Sequence, residues 1–364
     1  MNILHLSTAT SWRGGEQQIA YLAGELNANN FQQTVCCPAH SPLHRFCESL
    51  PVTVRPFEGR GLAGLGLARI IHKECRQRKI SVIHAHDSHA HTSAVLAASL
   101  FGNRTPVVLS RRVDFAVSSN PFSRWKYNHP SIRKIVCVSE KIREVTGRDI
   151  RDTGKLCVVY DGIDLEKFNP SQKRSLLHDE YQLPAGTRLI GNASALADHK
   201  DYYTFVDTAE RVLRREKKVR FIIFGDGAEK QHIENYIAEK QLEKSVILAG
   251  FRNNIPELLP ELDIFLMTSL TEGLGSILLD AFASGVPVVA TRAGGIPEIV
   301  SHNKTGLLAP LQDSALLSHH VCALLDDAGL CDRLRQDALT HVRNFSKETM
   351  ARQTMNVYEE VMNQ

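Results

Sequence analysis

The feature that most constrains the fold of this 364-residue chain is a regular alternation of short apolar runs with longer amphipathic stretches. Runs such as Val82–His86 have the length and the β-branched content of buried strands. Stretches such as Glu16–Asn27 and Leu67–Arg78 place apolar residues at helical spacing. This alternation is typical of a parallel sheet that is covered by helices on both faces.

The alternation pauses once, at Val158–Pro170, and then starts again. Two complete sets predict an α/β protein with two doubly wound domains, residues 1–168 and 169–346, joined near the polar segment Asn169–Asp179. A last helical pattern over 347–364 could pack on either domain, including back on the first. The predicted strands are Asn2–Ser7, Gln33–Cys37, Val52–Pro56, Val82–His86, Val107–Ser110 and Ile135–Ser139, then Leu189–Ala193, Arg220–Gly225, Val246–Leu248, Ile264–Met267 and Val288–Thr291.

Charge is distributed unevenly along the chain. The whole sequence carries a net charge of +3, which is too small to indicate a nucleic-acid partner. Residues 1–170 contain 22 basic and 14 acidic residues, a net +8, which leaves 21 basic and 26 acidic residues, a net −5, for the remainder. The first domain should therefore favour anionic partners.

The eight cysteines form no Cys-x-x-Cys pair, the first residues lack a basic segment and a long apolar run, and no 18-residue apolar window occurs. These features predict a cytoplasmic protein with reduced cysteines and without a membrane span. A peripheral position at the inner face of the membrane is compatible with them.

Two carboxylates stand out in the second half. Glu272 follows the predicted strand at 264–269, and Asp280 lies about one turn inside a predicted helix that starts near Gly275. A carboxylate at a strand end can accept hydrogen bonds from sugar hydroxyls, and a second one can bind a ribose diol. A glycosidase pair fits poorly, because two helical residues eight apart would be roughly 12 Å apart.

A glycine pair marks the first half. Gly14 and Gly15 lie between the first strand and the first helix, where the backbone can approach a phosphate closely. The pair does not form the Gly-x-Gly-x-x-Gly dinucleotide fingerprint, and a tight turn is an equal alternative.

Taken together, the motifs resemble the retaining GT-B glycosyltransferases, in particular the bacterial hexosyl and mannosyl transferases related to glycogen and sucrose synthases (glycosyl transferases group 1, family four). The resemblance spans nearly the whole chain. It implies two Rossmann-like domains facing across a cleft, a nucleotide diphosphate sugar donor, retention at the anomeric carbon, and no metal or other cofactor. The matching segments are Gly14-Gly15, Val138–Glu140, Val159–Phe168, Glu272 with Asp280, Gly285–Thr291, Ala293–Glu298 and Thr305–Leu308.

By position, the resemblance implies that Glu272 contacts the donor sugar and that the N–H groups of residues 274–276 (Leu274, Gly275 and Ser276) face the sugar and diphosphate. The Gly14-Gly15 turn would help to hold the diphosphate. Asp280 would bind the ribose, where the family usually has Glu.

The family also places an Arg and, five residues later, a Lys on the diphosphate. Here Ala195 stands at the Arg position and Lys200 at the Lys position. Lys200 can neutralise charge on the leaving diphosphate. Arg13, Arg252 and His199 are candidates to replace the missing cation.

A third departure falls after the strand at 107–110, where relatives often carry a His that points at the donor. Arg112 lies near that position, and Arg111 precedes it. Either arginine could bind the diphosphate or an anionic acceptor, and a salt bridge with Asp114 is an equal alternative.

Four histidines lie in eight residues, at positions 84, 86, 89 and 91. Because 84 and 86 share a strand face while 89 and 91 begin a helix, convergence on a metal is not expected. His86 and Asp87 are instead expected to border an acceptor pocket. The basic and aromatic segment 121–134 suits an anionic membrane surface or a lipid-linked acceptor, unless it is a solvated face.

The sequence therefore predicts transfer of a hexose-type sugar to a saccharide or lipid-linked acceptor, in cell-envelope glycan or lipopolysaccharide biosynthesis. Its alternatives are a nucleotide-sugar epimerase of the same architecture, a two-lobed binding protein, and an inactive or regulatory homologue that only binds ligand.

Overall fold

In a computed structural model, which describes residues 1–58, 64–117, 120–170 and 175–363, the chain alternates strands and helices as predicted. The described strands are β1 Asn2–Leu6, β2 Gln32–Pro38, β3 Thr53–Phe57, β4 Val82–Ala85, β5 Val107–Arg111, β6 Ile132–Cys137, β7 Leu156–Val158, β8 Arg188–Ala193, β9 Val219–Phe224, β10 Val246–Gly250, β11 Ile264–Met267, β12 Val288–Thr291 and β13 Leu307–Ala309.

The described helices are α1 Gly14–Ala28, α2 Pro42–Glu48, α3 Leu65–Gln77, α4 Ser88–Phe101, α5 Pro121–Tyr127, α6 Glu140–Gly147, α7 Leu176–Glu180, α8 Tyr202–Arg215, α9 Lys230–Glu239, α10 Ile255–Leu258, α11 Ile277–Ala283, α12 Ile296–Ile299, α13 Ser314–Asp326, α14 Ala328–His341 and α15 Lys347–Met362. Short 3-10 turns lie at Thr153–Lys155, Leu165–Lys167, Asp198–Lys200, Leu259–Glu261 and Val342–Phe345.

The chain divides into two compact units, and the predicted doubly wound fold is confirmed in each. Unit 1 comprises Met1–Gly162 and Ser346–Gln364, and unit 2 comprises Ile163–Phe345. The predicted domain boundaries, after residues 168 and 346, lie close to the observed ones, after Gly162 and Phe345. Residues 171–174, part of the predicted polar linker, lie outside the described residues.

Unit 1 contains a seven-stranded parallel sheet in the order β3-β2-β1-β4-β5-β6-β7. The central strands β4 and β5 are buried at every residue, as their apolar sequences require, whereas the edge strands β3 and β7 are only partly buried. The strand order reverses beside β1 and β4, and ligands of such sheets bind at the carboxyl ends near that point.

Unit 2 contains a six-stranded parallel sheet in the order β10-β9-β8-β11-β12-β13. Its core joins apolar side chains of the central strands to α8 and α13, including Phe205, Phe221 and Val321. Here the strand order reverses beside β8 and β11.

Helix α15 packs in unit 1 although it follows unit 2 in sequence. Met350, Val357 and Tyr358 join the core beside Ile3. Gly162 permits this packing, because an added Cβ would lie 2.8 Å from the Lys347 Cα.

Two strands were not predicted from the sequence, β7 and β13. Each has three residues and lies at one edge of its sheet. An edge strand pairs on one side, so it needs neither the length nor the apolar run that identifies a central strand.

The eight cysteines are free thiols, and six of them are buried. None of the described helices combines the length and the apolar character that crossing a membrane requires.

Candidate functional site

A charged pair lies beyond the carboxyl ends of β8 and β11 in unit 2. Lys200 Nζ donates to Glu272 Oε1 at 2.5 Å, and Ser269 Oγ donates to the same oxygen at 2.7 Å. The Lys200 and Glu272 side chains are only 15% and 10% exposed. Two predicted site residues that are 72 positions apart are therefore in direct contact.

The backbone around Lys200 is tied to the end of β11. Thr268 Oγ1 donates to the carbonyl oxygens of Lys200 at 3.2 Å and of Asp201 at 2.9 Å. The Leu270 N–H donates to the His199 carbonyl at 2.9 Å. These bonds fix the position from which the Lys200 side chain extends.

The glycine pair 294–295 encloses the backbone of Glu272. Gly294 has a φ of +49°, and an added Cβ would lie 1.9 Å from the Glu272 carbonyl oxygen. The Gly295 N–H donates to that oxygen at 3.0 Å. The motif therefore holds Glu272 through a close backbone approach that only glycine permits.

Helix α11 begins at Ile277, two residues later than predicted, with Ser276 as its N-cap. Gly275 has a φ of +83° and Leu274 is buried. The N–H groups of residues 274–276 thus belong to the turn that leads into the helix.

Asp280 lies in the first turn of α11 and is half-buried. Its carboxylate makes no hydrogen bond within the described part of the chain. Burial raises the pKa of Asp280 to about 7, against the opposing effect of the Lys167 charge. An unpaired carboxylate of this kind can accept hydrogen bonds from an incoming diol.

The loop that carries Ala195 passes over the end of β9. Gly225 and Gly227 permit this crossing, because an added Cβ would lie 1.9 Å from the Ser194 oxygen and 2.2 Å from the Leu196 oxygen. Ala195 is exposed, and its methyl side chain cannot supply the positive charge that the resemblance implies at this position.

One proposed replacement is already engaged. The Arg252 guanidinium pairs with Glu180 and donates to Tyr181 Oη at 3.0 Å and to the Ala249 carbonyl at 3.1 Å. His199 is exposed and adjoins Lys200 in the same 3-10 turn. Arg13 lies in unit 1.

A second cluster lies at the carboxyl edge of the unit 1 sheet. Arg112 follows β5 and pairs with Asp161, and both side chains are largely shielded from solvent. A Cβ added to Gly15 would lie 3.9 Å from Arg112 Cδ, whereas Gly14 faces open space. Gly14 and Gly15 are the first two residues of α1 rather than a turn before it, and Gly15 and Arg112 are neighbours.

The alternative salt bridge with Asp114 is wrong for Arg112, since Asp161 is its partner. Arg111 is 6% exposed, donates to Tyr127 Oη at 3.0 Å and also to the Phe115 carbonyl. Through these bonds Arg111 holds the segment that follows β5. The expected contact of Arg111 with a substrate stays a prediction.

Asp87 caps α4 and ties it to the end of β1. Its oxygens accept from Thr8 N at 2.5 Å, Thr8 Oγ1 at 2.7 Å, and the N–H groups of His89 and Ala90 at 2.9 Å each. Asp87 therefore holds the loop between β1 and α1, and its expected contact with an acceptor stays a prediction.

The histidines that come together are His5, His84 and His86, whose ligand nitrogens lie within 4.8 Å of one another. Burial lowers the pKa of each, to about 4 for His5. Both His84 nitrogens and one nitrogen each of His5 and His86 already have hydrogen-bond partners. His89 is exposed, while His91 is buried and contacts the Lys126 carbonyl.

The basic residues of segment 121–134 are largely engaged. Arg124 pairs with Asp149, Lys134 pairs with Glu360, and the buried Lys126 ammonium donates to Ser88 and Thr92. Two large apolar residues of α5 are exposed, Phe122 at 46% and Trp125 at 41%.

Comparisons with known proteins identify the family of this chain. Residues 12–167 match the family described as Glycosyltransferase Family 4, and residues 173–341 match the family described as Glycosyl transferases group 1. The chain belongs to the glycosyltransferase family that these two descriptions name. The resemblance inferred from the sequence motifs is confirmed.

Two relatives of this glycosyltransferase illustrate the range of the family. The N-acetyl-alpha-D-glucosaminyl L-malate synthase of Bacillus anthracis is 26% identical over 82% of this chain and 79% of the relative. The UDP-Gal:alpha-D-GlcNAc-diphosphoundecaprenol alpha-1,3-galactosyltransferase of Escherichia coli is 25% identical over 71% of this chain and 69% of the relative.

Solved structures establish the GT-B fold of this glycosyltransferase. A glycosyltransferase from Rickettsia africae has a TM-score of 0.86 at 19% identity, covering 99% of this chain and 98% of that one. Anabaena HepE in complex with UDP-glucose has a TM-score of 0.85 at 21% identity, covering 99% and 100%.

Sequence reasoning missed several residues of these clusters. Asp161 and His5 were assigned no role because their partners are distant in sequence, and Ser269 looked like part of a strand.

Proposed function

We propose that this glycosyltransferase moves a hexose from a nucleotide diphosphate sugar to a saccharide or lipid-linked acceptor, with retention of the anomeric configuration. The Lys200–Glu272 pair carries the proposal. It offers a cation for a leaving diphosphate and a carboxylate for sugar hydroxyls within one loop cluster. The relatives named above support a role in cell-envelope or lipid-linked glycan synthesis.

In this proposal each cluster has a separate task. Lys200 neutralises charge on the departing diphosphate, Glu272 orients the sugar, and Asp280 accepts from the ribose. Arg112, held by Asp161 beside the first residues of α1, binds an anionic group of the acceptor or the diphosphate. The acceptor oxygen bonds to the anomeric carbon on the face from which the diphosphate leaves, as the bond between that carbon and the diphosphate oxygen breaks. The acceptor proton passes to the departing diphosphate oxygen, so no separate general base is required.

We also propose that transfer needs no divalent metal, because Lys200 supplies the positive charge at the diphosphate. Excess EDTA should leave the initial rate unchanged. A rate that falls with EDTA and returns with Mg²⁺ or Mn²⁺ would contradict this part of the proposal.

Thermal stabilisation by a panel of nucleoside diphosphates and their sugars tests the donor site, with UDP-sugars first. A ligand at 100 times its Kd stabilises by about 2.7 kcal/mol, which gives a measurable rise in Tm. We expect one nucleotide-sugar to stabilise the protein and Lys200→Ala to lose the response. Lys244→Ala, which removes an exposed lysine of unit 2, is the matched control.

Product analysis tests the chemistry. Without acceptor, slow hydrolysis of the donor should be lost in Glu272→Ala, and with acceptor the product should keep the donor's anomeric configuration by NMR. An inverted product would refute retention. Conversion of the donor to an epimer without acceptor would favour the epimerase, and a panel without any response would favour an inactive homologue.

We further propose a peripheral contact with the inner face of a membrane through Phe122 and Trp125, which are exposed on α5. Sedimentation with vesicles that contain phosphatidylglycerol should capture the protein, and Phe122→Ser with Trp125→Ser should weaken capture. Equal capture of the parent and the double variant would refute this contact.

A further inference from the structure

A buried hydrogen-bond chain in unit 1 joins helix α15 to the carboxyl end of β5. Tyr358 Oη lies 2.6 Å from His84 Nδ1, and His84 Nε2 lies 2.8 Å from Ser110 Oγ. Tyr358 is 0% exposed, His84 is 2% exposed and Ser110 is 8% exposed. Ser110 lies two residues before Arg112, so this hydrogen-bond chain ends beside the unit 1 cluster.

Burial fixes the protonation states along this chain. It raises the pKa of Tyr358, and it lowers the pKa of His84, which the neighbouring His5 and Arg112 lower further. Tyr358 is therefore a phenol and His84 a neutral imidazole at physiological pH. A neutral imidazole has one N–H donor and one nitrogen that accepts. Hydrogen-bond donation along these three residues can therefore run only from Tyr358 to Ser110 or from Ser110 to Tyr358.

The surroundings of Tyr358 select one direction. If His84 Nδ1–H donated to Tyr358, the buried phenol O–H would have no acceptor among the described residues, which is unfavourable. If Tyr358 instead donates to Nδ1, His84 Nε2–H donates to Ser110 Oγ. The Ser110 O–H is then available to donate at the edge of the sheet.

We propose that Tyr358 and His84 are positioning residues for sugar transfer. Helix α15 fixes the tautomer of His84, which orients the Ser110 hydroxyl beside Arg112. The apolar packing of the Tyr358 ring already holds α15 in the core, so its hydroxyl contributes orientation rather than attachment. The effect on turnover rests on the proposed function, whereas the tautomer does not.

Removing single hydroxyl groups tests the effect on turnover. Tyr358→Phe and Ser110→Ala should each lower kcat about tenfold, with the KM for the donor within twofold. The double variant should lose no more than either single variant, because both interrupt one chain. Tyr236→Phe, which removes a hydroxyl bonded to Asp207 in unit 2, is the matched control and should keep the parent kcat.

A merely structural role predicts a lower Tm with an unchanged kcat of the folded enzyme, and that result would overturn the proposal. Additive losses in the double variant would also overturn it, because the two hydroxyls would then act independently.

Imidazole ¹⁵N NMR tests the tautomer without any need for turnover, so failure here and failure of the proposed function are distinguishable. His84 should carry its proton on Nε2 in the parent and exchange between tautomers in Tyr358→Phe. An Nδ1–H tautomer in the parent would overturn the proposal. So would a metal ion bound by His5, His84 and His86, which elemental analysis of the purified protein detects.

Discussion

Each cluster of this glycosyltransferase contains an ion pair, but the clusters differ in their other carboxylate. In unit 1, Arg112 is paired with Asp161, and Asp87 accepts four hydrogen bonds from the protein. In unit 2, Lys200 is paired with Glu272, and Asp280 makes no hydrogen bond within the described residues. A carboxylate without a protein partner is available to accept from a ligand, whereas one that already accepts four hydrogen bonds is held in place. We therefore assign ligand exchange to unit 2 and rigid orientation to unit 1.

The largest expected effect tests this division directly. Lys200→Ala should lower transfer about 100-fold to 1000-fold, because it removes the cation from the leaving diphosphate and leaves Glu272 unpaired beside it. Nucleotide affinity, measured by calorimetry, should fall with it. Arg112→Ala should lower transfer while nucleotide affinity stays within twofold of the parent. Equal loss of nucleotide affinity in both variants would break the comparison.

A second experiment concerns the ion pair itself. Glu272→Gln should lower turnover about 100-fold, because a neutral amide orients the sugar hydroxyls less strongly than a carboxylate. The same variant should bind a nucleoside diphosphate about threefold more tightly, since Lys200 is released and a negative charge is removed. Ser269→Ala, which removes a neutral partner of the same oxygen, should keep the parent affinity. Weaker nucleotide binding by Glu272→Gln would show that the pair does not restrain Lys200.

The different construction also explains what the sequence could predict. Glu272, the turn at 274–276, Asp280 and the glycine pair at 294–295 lie within one short segment, so their spacing identifies the unit 2 cluster. Lys200 was assigned through the resemblance to the family, which places a Lys five residues after the position of Ala195. The later start of α11 was missed, because Gly275 and Ser276 are compatible with either a turn or a helix start.

The unit 1 cluster brings together positions that are far apart in the chain. Arg112 and Asp161 are 49 residues apart, and His5 and His86 are 81 residues apart. Such pairs depend on strand order, because β1 and β4 are neighbours in the sheet and only β6 separates β5 from β7. An alternation of strands and helices predicts a parallel sheet but not its order, so sequence reasoning gave Arg112 the nearby Asp114 as a partner instead of Asp161.

Acid should destabilise unit 1 through its buried histidines. Burial lowers the pKa of His5, His84, His86 and His91, so these residues are neutral in the folded state. Their stabilising contribution is complete above the unfolded pKa of about 6.5 and is lost as the pH falls toward the folded values, by about 1 kcal/mol per pH unit for each histidine.

The two tryptophans, Trp12 and Trp125, both belong to unit 1, so their fluorescence reports the unfolding of that unit. The urea concentration at the midpoint of unfolding should fall steeply between pH 6.5 and pH 5. His91→Gln should reduce the number of protons taken up on unfolding by about one. His232→Gln, an exposed histidine in unit 2, is the control. A pH-independent midpoint would mean that these histidines titrate normally in the folded state.

The smallest expected effect concerns Asp280. Because burial raises the pKa of Asp280 to about 7, this group is mostly protonated at pH 6 and mostly ionised at pH 8. An ionised carboxylate accepts hydrogen bonds from a ribose diol more strongly than a protonated one, so nucleotide affinity should rise about threefold over this range. Asp280→Asn should remove this pH dependence, whereas Asp332→Asn, an exposed aspartate on α14, should retain it. An identical pH profile in the parent and in Asp280→Asn would separate Asp280 from the ribose and leave Lys200 and Glu272 as the groups that exchange partners in unit 2.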